Sequence, residues 1–180
     1  MYRLRECLPF AWSSSAQPFN QNAEDLITDK HVAMVAVKHQ PRLFRVCSGE
    51  LRDDPDIVKL AVRRMGAMLE YAGGQCRDNH EIVWLAITNG GSIQFASSRL
   101  QGDRALGSFA AGVDPDALRW LSPWLLLKRN ILNKGLRCNP RQFAILPAVL
   151  RADADVIEYM HMITENHPMS SFIAAFSEAG

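Results

Sequence analysis

Cysteine and histidine are the residues of this chain best suited to chemistry, because they supply nucleophiles, general bases and metal ligands. The four cysteines stand at positions 7, 47, 76 and 138 and form no CxxC pair, and the histidines stand at 31, 39, 80, 161 and 167. No H-E-x-x-H or H-x-x-x-H pair occurs. Cys76 and His80 are four residues apart, but a predicted capping turn separates them, so the sequence predicts no metal site.

One cysteine stands out as a candidate nucleophile. Cys138 aligns with Asp53 and Asp78 at a predicted helix N-terminus, where the helix dipole favours a thiolate. Cys47 and Cys76 fall at predicted core positions, where cysteine acts as a small hydrophobe. One interpretation is therefore an enzyme on a helical scaffold that uses Cys138 or a His/Asp pair. The other is a chain without catalytic residues, and this is the one that we favour.

Glycine motifs that bind phosphates or cofactors are absent from the sequence. It contains no P-loop, no G-x-G-x-x-G and no G-x-S-x-G. Gly73-Gly74 and Gly90-Gly91 end predicted helices, and no predicted strand precedes them as a phosphate-binding loop requires. The sequence predicts no cofactor and no small-molecule ligand.

The elements that would position these side chains come from a motif that recurs about every 25 residues. Leu51 to Val62 reads L-R-D-D-P-D-I-V-K-L-A-V, and Cys76 to Ile87 reads C-R-D-N-H-E-I-V-W-L-A-I. Looser copies begin at Leu26 and Leu100, and fragments return at 136–140, 150–157 and 172–177. Such self-similarity indicates a tandem-repeat protein.

Each repeat is predicted to form two short helices, which makes the chain an all-α protein of helix-pair repeats stacked in a solenoid-like array. The first helix of each repeat begins at a residue suited to N-capping, namely Asp29, Asp54, Asn79 or Asp103. We expect a flexible leader over residues 1–22 and one domain over 23–180. Regular repeats are expected over 26–122 and irregular capping helices over 123–180.

The pattern L-R-x-D-x-x-[IV]-V-x-x-A-V-x-x-x-G-x-x-L-x-Y-A resembles the tandem helical repeat of the domain-of-unknown-function 4116 family. Residues 51–99 carry it best, and the resemblance extends more loosely over 26–122. The resemblance implies helical repeats of protist proteins and of bacteria that live with eukaryotic hosts, some of them secreted effectors. It implies no catalytic residue.

Composition limits the kinds of partner. Of the 180 residues, 48% are hydrophobic and 22% are charged, and the formal net charge is +1. Near-neutrality argues against broad binding to nucleic acid or anionic membranes. No segment approaches the roughly 18 apolar residues of a membrane span, and the cysteine spacing favours a reducing compartment. We expect a soluble protein in a reducing compartment, and the resemblance implies that a bacterium secretes it into the host cytosol.

A protein partner is the favoured expectation, and two features of the sequence would bind it. One is a basic column at predicted helix ends, and the other is a tryptophan with flanking basic residues where the repeat pattern breaks. The candidate partner-binding residues are Trp124, Arg129, Lys128, Lys38, Arg63 and Arg64. Nucleic-acid binding along the basic column is a second alternative, besides the enzyme.

Overall fold

A computed structural model describes residues 27–164, and over this range the chain is all-α, as predicted. The predicted leader, the repeat fragment at 172–177 and His167 lie outside the described residues. A single backbone bridge joins Ile27 to Cys47. The α-helices, in chain order, are α1 (Lys30–His39), α2 (Gly49–Arg52), α3 (Pro55–Arg64), α4 (Gly74–Arg77), α5 (His80–Thr88), α6 (Ser98–Gln101), α7 (Arg104–Val113), α8 (Ala117–Trp120), α9 (Pro123–Leu126), α10 (Arg129–Cys138), α11 (Ala148–Arg151) and α12 (Ala154–Thr164).

Six of these helices are long and begin a structural unit each, at Lys30, Pro55, His80, Arg104, Arg129 and Ala154. A return segment then leads back to the start of the next long helix. It consists of a tight turn and a four-residue helix. The turn is a 3₁₀-helix at Pro41–Val46, Gly66–Tyr71, Ile93–Phe95 and Pro140–Ile145, and in the fourth unit it is α8. We number the units 1 to 6 by their long helices.

The predicted capping residues explain where the first four long helices begin. The side chains of Asp29, Asp54, Asn79 and Asp103 accept hydrogen bonds from backbone amides in the first turn of α1, α3, α5 and α7. These bonds satisfy amide donors that have no partner inside the helix. The prediction of these four caps is confirmed.

The core forms from the repeated apolar positions. Alanines of the long helices, among them Ala61 and Ala86, are fully buried and let neighbouring backbones approach closely. At Gly66 the approach leaves no space for a side chain, because an added Cβ would lie 2.1 Å from the carbonyl oxygen of Ala86. Glycine is therefore required there by the neighbouring unit.

Contacts between successive units place their long helices side by side and parallel. Near the N-terminal ends, Lys30 Nζ of α1 lies 2.6 Å from Asp54 Oδ2 at the start of α3. Near the C-terminal ends, Arg64 Nη1 donates to the carbonyl oxygen of Lys38 at 2.5 Å. The N-terminal ends thus share one side, which we call the amino edge, and the C-terminal ends share the carboxyl edge. The solenoid-like course of the whole array stays a prediction.

The unit spacing continues through the C-terminal half, where the sequence pattern indicated irregular helices. From α7 onward the long helices begin at Arg104, Arg129 and Ala154, so the 25-residue interval is kept. The sequence pattern missed unit 5 because the residues that resemble the start of a repeat do not stand at the start of α10. Asn139-Pro140 resembles the opening of a repeat, but it begins the 3₁₀ turn after α10. The true N-cap of α10 is Lys128, a residue that gives no capping signal.

Candidate partner-binding surface

The buried cysteines are part of the core. Cys47 is completely buried and Cys76 is 3% exposed. Burial raises the pKa of each thiol to about 11, and at Cys76 the neighbouring Asp53 carboxylate contributes in the same direction. Both thiols therefore stay protonated at neutral pH, which is the opposite of what a nucleophile requires. Their predicted core positions are confirmed.

The structure contradicts the helix position on which Cys138 was considered a candidate nucleophile. This residue is exposed and is the last residue of α10, so it lies at the C-terminal end of a helix and not at an N-terminus. The predicted position was wrong because the opening of a repeat was placed at the end of α10 and not at its start. The helix-dipole argument for a thiolate at Cys138 consequently fails.

The one His/Asp pair of the described residues has a structural explanation. His80 Nε2 lies 3.8 Å from Asp103 Oδ1, which is beyond hydrogen-bond distance. Asp103 Oδ1 accepts from the amide of Leu106 at 2.8 Å and so caps α7. The His80 ring stacks on Trp84, whose indole stacks on Phe109 with 4.1 Å between ring centroids. Over residues 27–164 no group of three or more His, Cys, Asp or Glu side chains is arranged to hold a metal ion.

The six candidate partner-binding residues do not form one surface. Lys38, Arg63 and Arg64 lie in the last turns of α1 and α3, at the carboxyl edge. Arg64 is engaged there with the carbonyl of Lys38, which neutralises a negative helix end. The other three residues lie at the amino edge, roughly 15 Å away, since a ten-residue helix has about that length.

At the amino edge, Arg129 is already paired within the protein. Its Nη2 atom lies 2.5 Å from Asp153 Oδ2 and 3.2 Å from Asp155 Oδ2. This arrangement repeats that of Lys30 with Asp54 and Asp56 in the first unit. Arg129 therefore joins unit 5 to unit 6, which leaves Trp124 and Lys128 as the exposed predicted anchors of this edge.

Trp124 has counterparts in the other units, although it stands where the sequence pattern breaks. The helix that ends each return segment (α2, α4, α6, α9 and α11) buries its third residue and exposes its second, as α9 does with Leu125 at 0% and Trp124 at 47%. The equivalents of Trp124 are the exposed residues Glu50, Gln75, Arg99 and Val149. The position is thus charged or polar in the first three units and apolar in the fourth and fifth.

Four residues before each of these positions, the return segment has a second position that is relevant to the difference between the units. It is occupied by Val46, Tyr71, Phe95, Trp120 and Ile145. Units 4 and 5 therefore carry wholly apolar pairs, Trp120 with Trp124 and Ile145 with Val149. The return segments that carry the two pairs are in contact, because α8 contacts the 3₁₀ turn Pro140–Ile145.

The exposed apolar residues of these two adjacent return segments are together called the apolar patch. Trp120 is half-buried, whereas Ile145 is 49%, Leu127 67% and Val149 80% exposed. The apolar patch consists of Trp120, Trp124, Leu127, Ile145 and Val149. Sequence reasoning identified only Trp124 as a partner residue. Aligning residues 120–128 with 145–153 at the unit spacing would have found the others.

Lys128, which follows Leu127 of the apolar patch, also differs from the equivalent residues of the other units. The N-cap position of the long helices carries Asp29, Asp54, Asn79, Asp103 and Asp153 in the other five units. Lys128 makes no side-chain capping hydrogen bond, and its ammonium group stands at the positive end of α10. Positions that break a local rule at a cost in stability are often functional.

Two open depressions of the described surface lie away from the apolar patch. Both flank α12 and are lined by Tyr159 and Met162. Cys138 and Arg137 line one, and Asn133 and His161 line the other. Neither includes a residue of the apolar patch.

The fold and this surface define a protein of repeated helical units with an exposed apolar patch. A model of the family described as Domain of unknown function (DUF4116) matches residues 29–77. The matched segment runs from the N-cap of α1 to the end of α4 and so covers units 1 and 2. It confirms the resemblance over those units. No curated protein and no solved structure gives a significant match.

None of the helices over residues 27–164 is long and apolar enough to cross a membrane. The long helices have about ten residues, whereas a span needs about 20.

Proposed function

We propose that this chain is a non-catalytic protein-binding module and that its partner docks on the apolar patch. One observation carries the proposal. The return-segment positions that are charged or polar in units 1 to 3 are occupied by Trp124 and Val149 in units 4 and 5. The units share one backbone plan, so the fold itself does not require apolar side chains at these positions.

The composition of the apolar patch fits an interface. Tryptophan is enriched among residues that dominate binding energy, and neighbouring aliphatic residues exclude water around it. A contiguous exposed apolar surface on a folded domain marks a site of association. The patch lies on short helices that are tied to the preceding unit, for example by the amide of Ser122, which donates to the carbonyl of Gln101 at 3.1 Å. The partner therefore meets a preformed surface.

The identity of the partner is a further part of the proposal. We infer that the chain is a bacterial effector that enters a eukaryotic cell and modulates or inhibits a host protein. The resemblance to the DUF4116 repeat supports this part, because such repeats occur in secreted effectors.

The proposal is tested by affinity capture from a eukaryotic lysate with quantitative mass spectrometry, comparing Trp124→Ala with Gln75→Ala. Gln75 holds the equivalent exposed position in unit 2, so it is a matched control. A partner that docks on the apolar patch is captured by the wild-type protein and by Gln75→Ala, and is depleted with Trp124→Ala. Equal capture by all three proteins would place the partner elsewhere or show that its capture is nonspecific.

A further inference from the structure

The part of the chain that carries the apolar patch has an unusual charge. Residues 117–152 contain seven Lys and Arg residues and no Asp or Glu. The remaining 13 of the 20 basic residues share the rest of the chain with all 19 acidic ones. Charge is thus segregated in a chain whose net charge is only +1, and units 4 and 5 carry the positive part.

Two cations directly adjoin residues of the apolar patch in the chain, and a third begins α7. The Arg119 guanidinium lies over the Trp120 ring, 5.4 Å from its centroid. Lys128 is exposed and follows Leu127 directly in the chain. Arg104 is the first residue of α7, as Lys30 is of α1, and Lys128 is the N-cap of the next unit, as Asp54 is in unit 2.

In two other places, a cation at the start of one long helix pairs with the N-cap carboxylate of the next unit. Units 4 and 5 differ in this respect. Lys30 meets the carboxylate of Asp54 at 2.6 Å, and Arg129 meets Asp153 at 2.5 Å. The equivalent positions of units 4 and 5 hold Arg104 and Lys128, which are two cations instead of a cation and a carboxylate. Within residues 27–164 neither of them forms an ion pair. The site therefore lacks the carboxylate that the equivalent sites contain.

We propose that the partner of the apolar patch is an acidic protein segment with apolar anchor residues. Its carboxylates bind Arg104, Arg119 and Lys128, and its anchors bind Trp124 and Val149. This inference rests on the proposed function and adds the chemistry of the partner. Complementary charge steers association and sets specificity, while the apolar anchors supply most of the affinity.

A protein segment fits better than a nucleic acid or a membrane. Arg137 and Arg141 lie at the opposite end of α10, at the carboxyl edge, so the cations of units 4 and 5 do not follow one track for a phosphate backbone. Anionic membranes are bound by clusters of about four to eight basic residues, more than the three cations named above.

The test selects binders from a random-peptide phage library against the wild-type protein. The selected peptides are then titrated against three variants by fluorescence anisotropy. Trp124→Ala with Val149→Ala removes the anchors, Arg104→Gln with Lys128→Gln removes two charges, and Gln75→Ala is the matched control. We expect peptides that combine Asp and Glu with aromatic or aliphatic residues. Removing the two charges should weaken binding about tenfold at low ionic strength, and this difference should shrink as salt rises.

The outcomes separate the inference from the function on which it rests. Peptides that lose affinity with Trp124→Ala and Val149→Ala but show no excess of acidic residues, and no response to the Gln variants, would overturn the acidic partner alone. Selected peptides that bind all variants equally, or a selection that yields no binder, would count against the apolar patch itself. Sedimentation with phosphatidylserine vesicles, or a mobility shift of single-stranded RNA, that depends on Trp124 would overturn the protein partner in favour of the other class.

Discussion

Replacing Lys128 by aspartate should stabilise the protein. The backbone at Lys128 has φ −86° and ψ 103°, close to the −77° and 117° of the capping residue Asp54. The chain is therefore already arranged for a side-chain cap, which lysine does not form because an ammonium group accepts no hydrogen bond. A carboxylate at position 128 would accept from the first-turn amides of α10, as Asp54 Oδ1 accepts from Asp56 N at 3.0 Å.

The size of the effect follows from three contributions. An N-cap is worth about 1 kcal/mol. Replacing a cation by an anion at the positive helix end adds about 0.3–1 kcal/mol. The new carboxylate would also hold the repeat position relative to Arg104 that Asp54 holds relative to Lys30, but such an exposed pair adds at most a few tenths of a kcal/mol. We expect a total of about 1.5 kcal/mol, which raises the Tm of a chain of this size by about 3–6 °C.

Urea unfolding followed by tryptophan fluorescence measures this change. Lys128→Ala removes the charge without adding a cap, so Lys128→Asp should exceed it by the capping contribution of about 1 kcal/mol. Lys38→Asp makes the same charge change at the C-terminal end of α1 and should give no stabilisation. If Lys128→Asp is no more stable than Lys128→Ala, the assignment of position 128 as an unused N-cap is wrong.

Three further predictions test the fold. Gly66→Ala should cost about 3 kcal/mol in urea unfolding, because its Cβ would meet the Ala86 carbonyl, whereas Gly49→Ala, with no atom within 4 Å of the added Cβ, should cost less than about 0.5 kcal/mol. In native alkylation mapped by mass spectrometry, buried Cys47 and Cys76, whose pKa values are raised to about 11, should react far more slowly than exposed Cys138; equal rates would contradict their burial. The Ser97 hydroxyl and the Arg99 guanidinium lower the pKa of Asp78, so its stabilising contribution is present above about pH 4 and is lost as pH falls through the folded pKa. The excess stability of wild type over Asp78→Asn should therefore shrink in urea unfolding from about pH 6 to pH 2, and a constant difference would refute this linkage.

The sequence predicted the regular units well because several weak signals coincide there. A capping side chain, a buried alanine and a helix-ending glycine recur in order, and the structure confirms the caps at Asp54 and Asn79 and the buried position of Cys76. Repetition allowed the core positions of one unit to be checked against those of the next.

The sequence-based prediction was wrong where lysine replaced the usual capping residue, at position 128. Because Lys128 gives no capping signal, the start of unit 5 could not be recognised in the sequence. Asn139-Pro140 resembles the start of a repeat and was taken for one, although it lies after α10. This error misplaced Cys138 at a helix N-terminus and left Trp124 without counterparts. Ile145 and Val149 were not recognised beside it, because this needs the alignment of 120–128 with 145–153, which the false opening at Asn139-Pro140 obscured.

The affinity of a patch-dependent partner measures the central claim most directly. The partner, or a peptide selected as described, is titrated by isothermal calorimetry against wild type, against Trp124→Ala with Val149→Ala, and against Gln75→Ala. Removing a tryptophan anchor costs at least about 2 kcal/mol, so the apolar-patch variant should bind about 30-fold more weakly or worse, and Gln75→Ala should bind as wild type does. Equal affinity of wild type and the apolar-patch variant would contradict the account.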